Sequence, residues 1–247
     1  MDDEPVKGED NAIGVDLSLL ANFTHQVINP LNGIAGTLDN IIDGTIGPDR
    51  RDQRIRAVRA HLENCITLVR NLAFLVTEGP ALTMPQRLTV LPQVIIEAAM
   101  YYQEEGRSKR IELNLKNRSE QNKVAAHPEI IKQVLMNLFD NAVKYSRFGS
   151  EVEVRQWVQK STNYAVITVR SIPAGMIGAQ DMQNIFELGY RGANAKMIVA
   201  SGTGLGLFIC RLLLERAGGS IQVQADSRDG LLFTVTMPRG VADDGKN

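Results

Sequence analysis

A histidine stands in the segment FTHQVINPL, with His25 followed by Gln26, Asn29 and Pro30. An imidazole is a nucleophile and a proton carrier near neutral pH. His25 lies two positions from Phe23 and from Val27, about 200° around a helix from each, so it points away from their apolar stripe toward solvent. Pro30 falls in the interior of that helix, where it removes a backbone hydrogen bond and forces a kink. A second segment, NLFDNAVKYS, places Asn137, Asn141 and Lys144 at i, i+4 and i+7, on one face opposite Ile131, Val134, Leu135 and Leu138. An amide oxygen suits Mg²⁺, and a lysine is a point charge for phosphate. A third, SGTGLGL, has glycines at 202, 204 and 206 directly before an apolar helix. Glycines allow close backbone approach to a polyphosphate, and a helix N-terminus offers it unpaired N–H groups. The run matches neither the P-loop nor the GxGxxG dinucleotide turn. Upstream, IFELGYRGANA carries Arg191 in a glycine-rich stretch able to cover a ligand. Taken singly, each segment has an ordinary explanation: a solvated histidine, a polar helix face, a glycine turn.

The elements that must position these groups are legible in the apolar pattern. Leu20, Phe23, Val27, Leu31, Ile34, Leu38 and Ile41 step by three and four, and Ile55, Val58, Leu62, Cys65, Val69, Leu72 and Val76 do the same. Between the two runs lies GTIGPD, a turn. This predicts two long amphipathic helices forming an antiparallel hairpin with a thin core. Pairing with a second copy into a four-helix bundle would bury both stripes. After Gly79-Pro80 and Met84-Pro85 the pattern predicts strands at Leu88–Val90, Ile111–Leu115, Val152–Val158, Ala165–Val169, Ile221–Ala225 and Leu232–Met237. Helices are predicted at Gln93 to Glu105, Pro128 to Tyr145 and Leu205 to Arg216. Hairpin-like strand pairs with irregular helices read as an α+β sandwich, helices on one face of a mixed sheet. The expected layout is a flexible tail over 1–16, an all-α hairpin domain over 17–80, an α/β sandwich over 81–239 and a tail over 240–247.

Composition bounds the rest. In 247 residues, 27 Lys+Arg oppose 28 Asp+Glu, so no basic surface favours nucleic acid. No run of 18 apolar residues suggests membrane contact and no signal peptide opens the chain; the expected location is cytoplasmic. Two cysteines, Cys65 and Cys210, cannot build a disulfide framework and read as reduced core residues.

In this order and spacing, HQVINPL, NLFDNAVKYS, IFELGYRG and GTGLGL resemble the catalytic core of sensor histidine kinases, over roughly residues 17 to 239. The resemblance implies a dimerising phosphoacceptor hairpin followed by a Bergerat-type ATP-binding sandwich of the GHKL superfamily. It implies ATP and Mg²⁺ as cofactors, with Asn141 on the metal, Asn137 and Lys144 near the phosphates, and Tyr145 beside the adenine. Arg191 would lie in the ATP lid, and Gly202, Thr203, Gly204, Leu205, Gly206 and Leu207 around the phosphates. His25 would accept the γ-phosphoryl group and pass it to an aspartate of a response regulator receiver domain, the chain acting as a homodimer. Chaperone and mismatch-repair members of the superfamily lack the histidine-bearing hairpin.

Two positions depart from the family pattern. In VRSIPAGM, Ser171 stands where the adenine-reading aspartate belongs and Pro173 replaces the first glycine, leaving Gly175. Gln26 stands where an acid is usual, and glutamine cannot take a proton at neutral pH. Asn29 is retained, and in the family this position helps orient water for dephosphorylating the regulator. The alternative to an active kinase is therefore a pseudokinase scaffold or phosphatase-biased protein using ATP weakly.

Overall fold

A computed structural model describes residues 17–77, 88–199, 202–226 and 229–240. The expected N-terminal tail, the Gly79-Pro80 and Met84-Pro85 breaks and residues 241–247 lie outside the described residues. The chain divides into two compact units between Ala81 and Leu82.

The first unit is a helical hairpin, α1 (Leu17–Ile42) and α2 (Pro48–Thr77). Helix α1 runs through Pro30 without interruption. The turn between the helices uses Gly44 at a φ of 73°, a left-handed conformation that glycine adopts freely. Cys65 Sγ faces the Val27 carbonyl at 3.9 Å and Arg51 reaches the Ile41 carbonyl at 3.4 Å, so the helices run antiparallel. Ile34, Cys65 and Leu68 are buried, whereas Leu31, Leu38, Ile55, Leu62 and Val69 of the expected stripes are exposed. Leu68 takes the inward place that the repeat assigned to Val69. A single hairpin covers only one edge of each stripe.

The second unit is a two-layer α/β sandwich. Its sheet has the order β2-β4-β5-β7-β6, built from β2 (Glu112–Leu115), β4 (Glu151–Gln159), β5 (Tyr164–Ser171), β6 (Ser220–Asp226) and β7 (Gly230–Pro238). The β2–β4 pair is parallel and the rest antiparallel. Register places Val154, Val169, Phe233 and Val223 in one row and Gln156, Ile167, Val235 and Ile221 in the next. Most of these face inward and are buried. The helical layer is α3 (Leu91–Met100), α5 (Pro128–Tyr145) and α8 (Gly206–Arg216), with α5 packed between the other two. Leu135, Leu138, Phe139, Ile209 and Leu213 are fully buried there. A small antiparallel pair, β1 (Leu88–Val90) and β3 (Lys123–Ala125), closes one end.

The helix expected from Gln93 to Glu105 is two helices. Helix α3 ends at Met100, and α4 (Gln103–Ser108) restarts after Tyr101 and Tyr102. Within α4, Gly106 lets the chain double back closely to enter β2: an added Cβ there would lie 2.8 Å from the Ile111 carbonyl oxygen, and Ile111 N donates to the Gly106 carbonyl at 2.8 Å. Helix α5 starts at Pro128, and His127 caps it, its Nδ1 accepting from Glu129 N at 3.4 Å.

Gln156, fully buried, is satisfied on all sides. Its Nε2 donates to the carbonyls of Glu120 (2.7 Å) and Asn117 (3.2 Å), and its Oε1 accepts from Asn122 Nδ2 (2.7 Å). A buried amide so paired pins the β2–β3 connection to the sheet.

Candidate functional site

The C-terminal half of α5 is the floor of the site. Asn137, expected on an open polar face, is only 4% exposed. The start of α8 covers it: a Cβ on Gly206 would sit 3.5 Å from Asn137 Oδ1. Asn137 Nδ2 has no oxygen or nitrogen acceptor among the described residues and lies beside the Cys210 sulfur. Burial pushes the Cys210 thiol up to about 12, so it stays protonated and unreactive. Asn141, one turn on, is half-buried. Lys144 donates to Asp140 Oδ2 at 2.8 Å. Burial raises the Asp140 carboxyl above the usual range, and the Lys144 ammonium opposes that rise.

The glycine turn forms the second wall. Gly204 has a φ of 71°, and a Cβ there would stand 2.6 Å from both the Gly189 carbonyl carbon and the Tyr190 oxygen. Only glycine allows this approach. The Thr203 hydroxyl accepts from Leu205 N at 3.4 Å. The Leu205 side chain is 1% exposed and belongs to the core, so a ligand can meet only its backbone. Leu207 is half-buried in the first turn of α8, a turn without acidic residues, and the helix presents its positive end toward Asn137.

The cover comes from two short helices absent from the sequence expectation, α6 (Ala179–Asn184) and α7 (Ala193–Ile198). Between them Phe186 packs edge-on against Phe233, centroids 6.3 Å apart, and Glu187 pairs with Arg211 at 3.1 Å. Arg191 donates to the carbonyls of Ala195 (3.1 Å) and Val199. Its guanidinium carbon and the Tyr145 hydroxyl both lie 3.0 Å from where a Gly202 Cβ would stand. The structure thus gathers Tyr145, Arg191, Gly202 and Gly204 into one cluster.

At the other end of α5, Ser171 finishes β5, 7% exposed and opposite Leu231. Arg147 N donates to the Ile172 carbonyl (2.7 Å) and Ala174 N to the Tyr145 carbonyl (2.8 Å), bracketing a Ser146–Pro173 bridge. Pro173 sits where no N–H is needed, so proline costs this turn no hydrogen bond. Gly175 packs on Asn194 of α7, 3.4 Å from its would-be Cβ. The Ser146 hydroxyl is buried without a partner among the described residues. Sequence reasoning passed over Ser146 and Asp140; the one signal was their place inside the NLFDNAVKYS motif.

In the first unit, His25 and Asn29 are both exposed on α1, as the helical phase of His25 predicts. Gln26 lies in the same helix, and its side chain is outside the described residues. Among the described residues no three His, Cys, Asp or Glu side chains come together to hold a metal.

This arrangement is that of a known family, whose profile, Histidine kinase-, DNA gyrase B-, and HSP90-like ATPase, matches residues 126–241. Those residues belong to that family. The ATPase domain thus holds α5, the cover, the glycine turn and four of the five sheet strands. Over the whole chain, the sequence is 24% identical across 235 residues to the sensor protein SrrB of Staphylococcus aureus, covering 94% of this chain. It spans 39% of that relative's length. The fold is similar to the histidine kinase AdeS of Acinetobacter baumannii, with a TM-score of 0.64 and 21% identity, covering 88% of this chain and 98% of that one. It is also similar to the histidine kinase ThkA solved with the response regulator TrrA (TM-score 0.63, 20% identity, 90% and 61% covered). A third likeness is to ShkA solved with AMPPNP (0.58, 21%, 91% and 46%). The chain is thus similar along most of its length to sensor histidine kinases, and residues 126–241 carry their ATPase profile. No described helix is long and apolar enough to cross a membrane.

Proposed function

We propose that this chain is the phosphoryl-transfer core of a two-component sensor kinase. Residues 17–80 form the dimerisation and phosphotransfer domain, and residues 81–239 the catalytic domain. The observation that carries this is the pairing, in one chain, of an exposed His25 on a helical hairpin with a stretch matching the histidine kinase-, DNA gyrase B-, and HSP90-like ATPase profile.

In the ATPase domain the phosphates lie against Gly202, Thr203, Gly204 and the first turn of α8, where backbone N–H groups and the helix dipole favour anions. Asn137 Nδ2, buried beneath that turn without an oxygen or nitrogen acceptor, is the donor such a ligand would satisfy. The half-buried Asn141 offers one neutral oxygen, and among the described residues no three His, Cys, Asp or Glu side chains gather to hold a metal, which fits Mg²⁺: that ion takes few protein ligands and the rest from phosphate and water. When bound, the metal supplies charge neutralisation of the phosphates. Lys144 leaves Asp140 or shares it to reach phosphate, and Tyr145 and Ser171 flank the base. Gly175 and Asn194 hold the cover over it, and Arg191 sits in the lid with a guanidinium suited to phosphate oxygens.

The His25 imidazole nitrogen attacks the γ-phosphorus, the bond to the bridging oxygen breaks, ADP departs and the ring loses its proton. Gln26 orients the ring by hydrogen bonding and takes no proton, so solvent receives it. The phosphoryl group then passes to an aspartate of a response regulator receiver domain. Exposed Leu31, Leu38, Ile55, Leu62 and Val69 support a homodimer in which a second hairpin covers them. The near balance of 27 Lys+Arg against 28 Asp+Glu argues against nucleic acid as a partner, and the segment works in the cytoplasm.

A second reading is favoured by one observation. Ser171 is buried where a carboxylate would give stronger base binding, while Asn29 is exposed one turn from His25. On that reading the chain is phosphatase-biased, Asn29 orienting water on a phosphorylated regulator. Incubation with γ-labelled ATP and Mg²⁺ at millimolar nucleotide, beside His25→Ala, decides between them. Acid-labile, alkali-stable label that vanishes in the variant is the expected result. Absence of label with a folded protein refutes the kinase reading.

A further inference from the structure

We propose that the base end of this nucleotide site reads its ligand through hydroxyls, those of Ser171 and Ser146, and so accepts 6-oxopurine nucleoside triphosphates alongside 6-aminopurine ones. The proposal rests on the nucleotide reading above and adds the class of base.

Helix α5 and its cap carry two polar atoms that are buried and lack a nitrogen or oxygen partner among the described residues, Asn137 Nδ2 and Ser146 Oγ. Their residues are 4% and 8% exposed. Nine residues of helix separate them, about 13 Å along the axis. Asn137 lies under the glycine turn and the N-terminus of α8, the anion end. Ser146 lies at the far end, bridged to Pro173 and two residues in register from the buried Ser171. A buried hydroxyl without a protein partner takes one from ligand or water. The spacing therefore suits an elongated ligand, anionic at one end and hydrogen-bonding at the other.

The chemistry at the second end sets the selectivity. Ser171, Ile172, Pro173, Ala174 and Gly175 carry no charged side chain. An ionised carboxylate accepts only, so it selects a base that donates at C6 and repels one that presents an oxygen there. A hydroxyl donates and accepts equally well. Rotation about one bond lets Ser171 or Ser146 accept from an exocyclic amine or donate to an exocyclic oxygen. A hydroxyl contact is weaker than a charged hydrogen bond and discriminates less.

The test is isothermal titration of the 247-residue protein with Mg²⁺ plus ATP or inosine triphosphate, which differ at C6. Dissociation constants within tenfold of each other are expected. Ser171→Asp, with folding checked by circular dichroism, is expected to shift the ratio at least tenfold toward ATP. A wild-type preference for ATP beyond tenfold overturns the proposal and leaves the nucleotide reading standing. An unchanged ratio in a folded Ser171→Asp variant also overturns it, and if that variant fails to fold the wild-type ratio alone decides. Binding of neither nucleotide by the folded protein overturns both the proposal and the reading beneath it.

Discussion

Replacing Gly204 with alanine tests how the glycine turn meets the lid. The residue holds a φ of 71°, and its new Cβ would lie 2.6 Å from the Gly189 carbonyl carbon and the Tyr190 oxygen. The left-handed conformation costs alanine about 1–2 kcal/mol. The contact adds roughly 1–3 kcal/mol, because its partners are main-chain atoms with no rotamer to escape into. Loop and lid must therefore separate. At about 2–4 °C per kcal/mol for a unit of this size, Gly204→Ala lowers Tm by roughly 5–15 °C. It also speeds amide exchange around Gly189–Arg191. Two neighbours serve as controls within the same turn. A Cβ on Gly202 meets the far ends of Arg191 and Tyr145 at 3.0 Å, and these side chains can shift by a few tenths of an ångström. A Cβ on Gly206 makes an ordinary 3.5 Å contact with Asn137 Oδ1, and alanine favours a helix over glycine by up to about 1 kcal/mol. The expected order of damage is 204, then 202, then 206, read by differential scanning calorimetry and hydrogen exchange. Equal effects at 204 and 206 in both measurements would refute the close packing of turn against lid.

Two further predictions concern the buried polar groups. Gln156→Leu removes an amide of 0% exposure, takes the donor away from two carbonyls and leaves Asn122 Nδ2 with its Glu120 Oε2 partner at 3.2 Å. The expected loss is about 2–4 kcal/mol by urea unfolding, and a wild-type midpoint would show that the network contributes nothing. Asp140 has its carboxyl raised by burial, so the folded state favours the protonated form. Its stabilising share is complete below the ordinary value near 4 and is lost as pH rises through the raised value. Asp140→Asn is therefore expected to match or exceed wild-type stability at pH 7 and to show less decline between pH 4 and 7. A larger loss at pH 7 than at pH 4 would mean the Lys144 pair outweighs the burial.

Long periodic elements were legible from sequence because burial repeats along them. Helix α5, with nine buried residues among eighteen, and β7, alternating along its length, fall within two residues of expectation. Helices α6 and α7 have six residues each and bury none, so no apolar period marked them. Strand β3, Lys123–Ala125, has three residues of which only Val124 is buried, so no apolar alternation marked it. The reversal at Leu68 and Val69 has the same kind of cause. The apolar run at Leu68–Val69 offers two phases for one helix face, and only the facing helix selects between them. At the site, residue types announced Asn137, Asn141 and the three glycines. The burial of Asn137 was not foreseeable, since it depends on α8 arriving from nearly seventy residues away in sequence.

The two halves of the proposed nucleotide site obey different constraints. On the phosphate side the demand is steric: Gly204 meets backbone at 2.6 Å and has no substitute. On the base side the backbone demands little. Arg147 N and Ala174 N make the hydrogen bonds that hold the turn to the end of α5. Pro173, which lies between Ile172 and Ala174 and is bridged to Ser146, needs no N–H in that pairing. Pro173 therefore leaves the backbone bonds of this turn intact, and on the proposed reading the change that matters chemically is the buried Ser171. A lesion confined to one side chain in an intact frame predicts altered affinity and base choice, with the phosphate geometry preserved. A lesion of the frame would instead weaken every nucleotide alike, including a bare triphosphate. Titration with inorganic triphosphate and Mg²⁺ separates the two: binding within tenfold of ATP places the defect in the base contact, and no binding places it in the glycine turn.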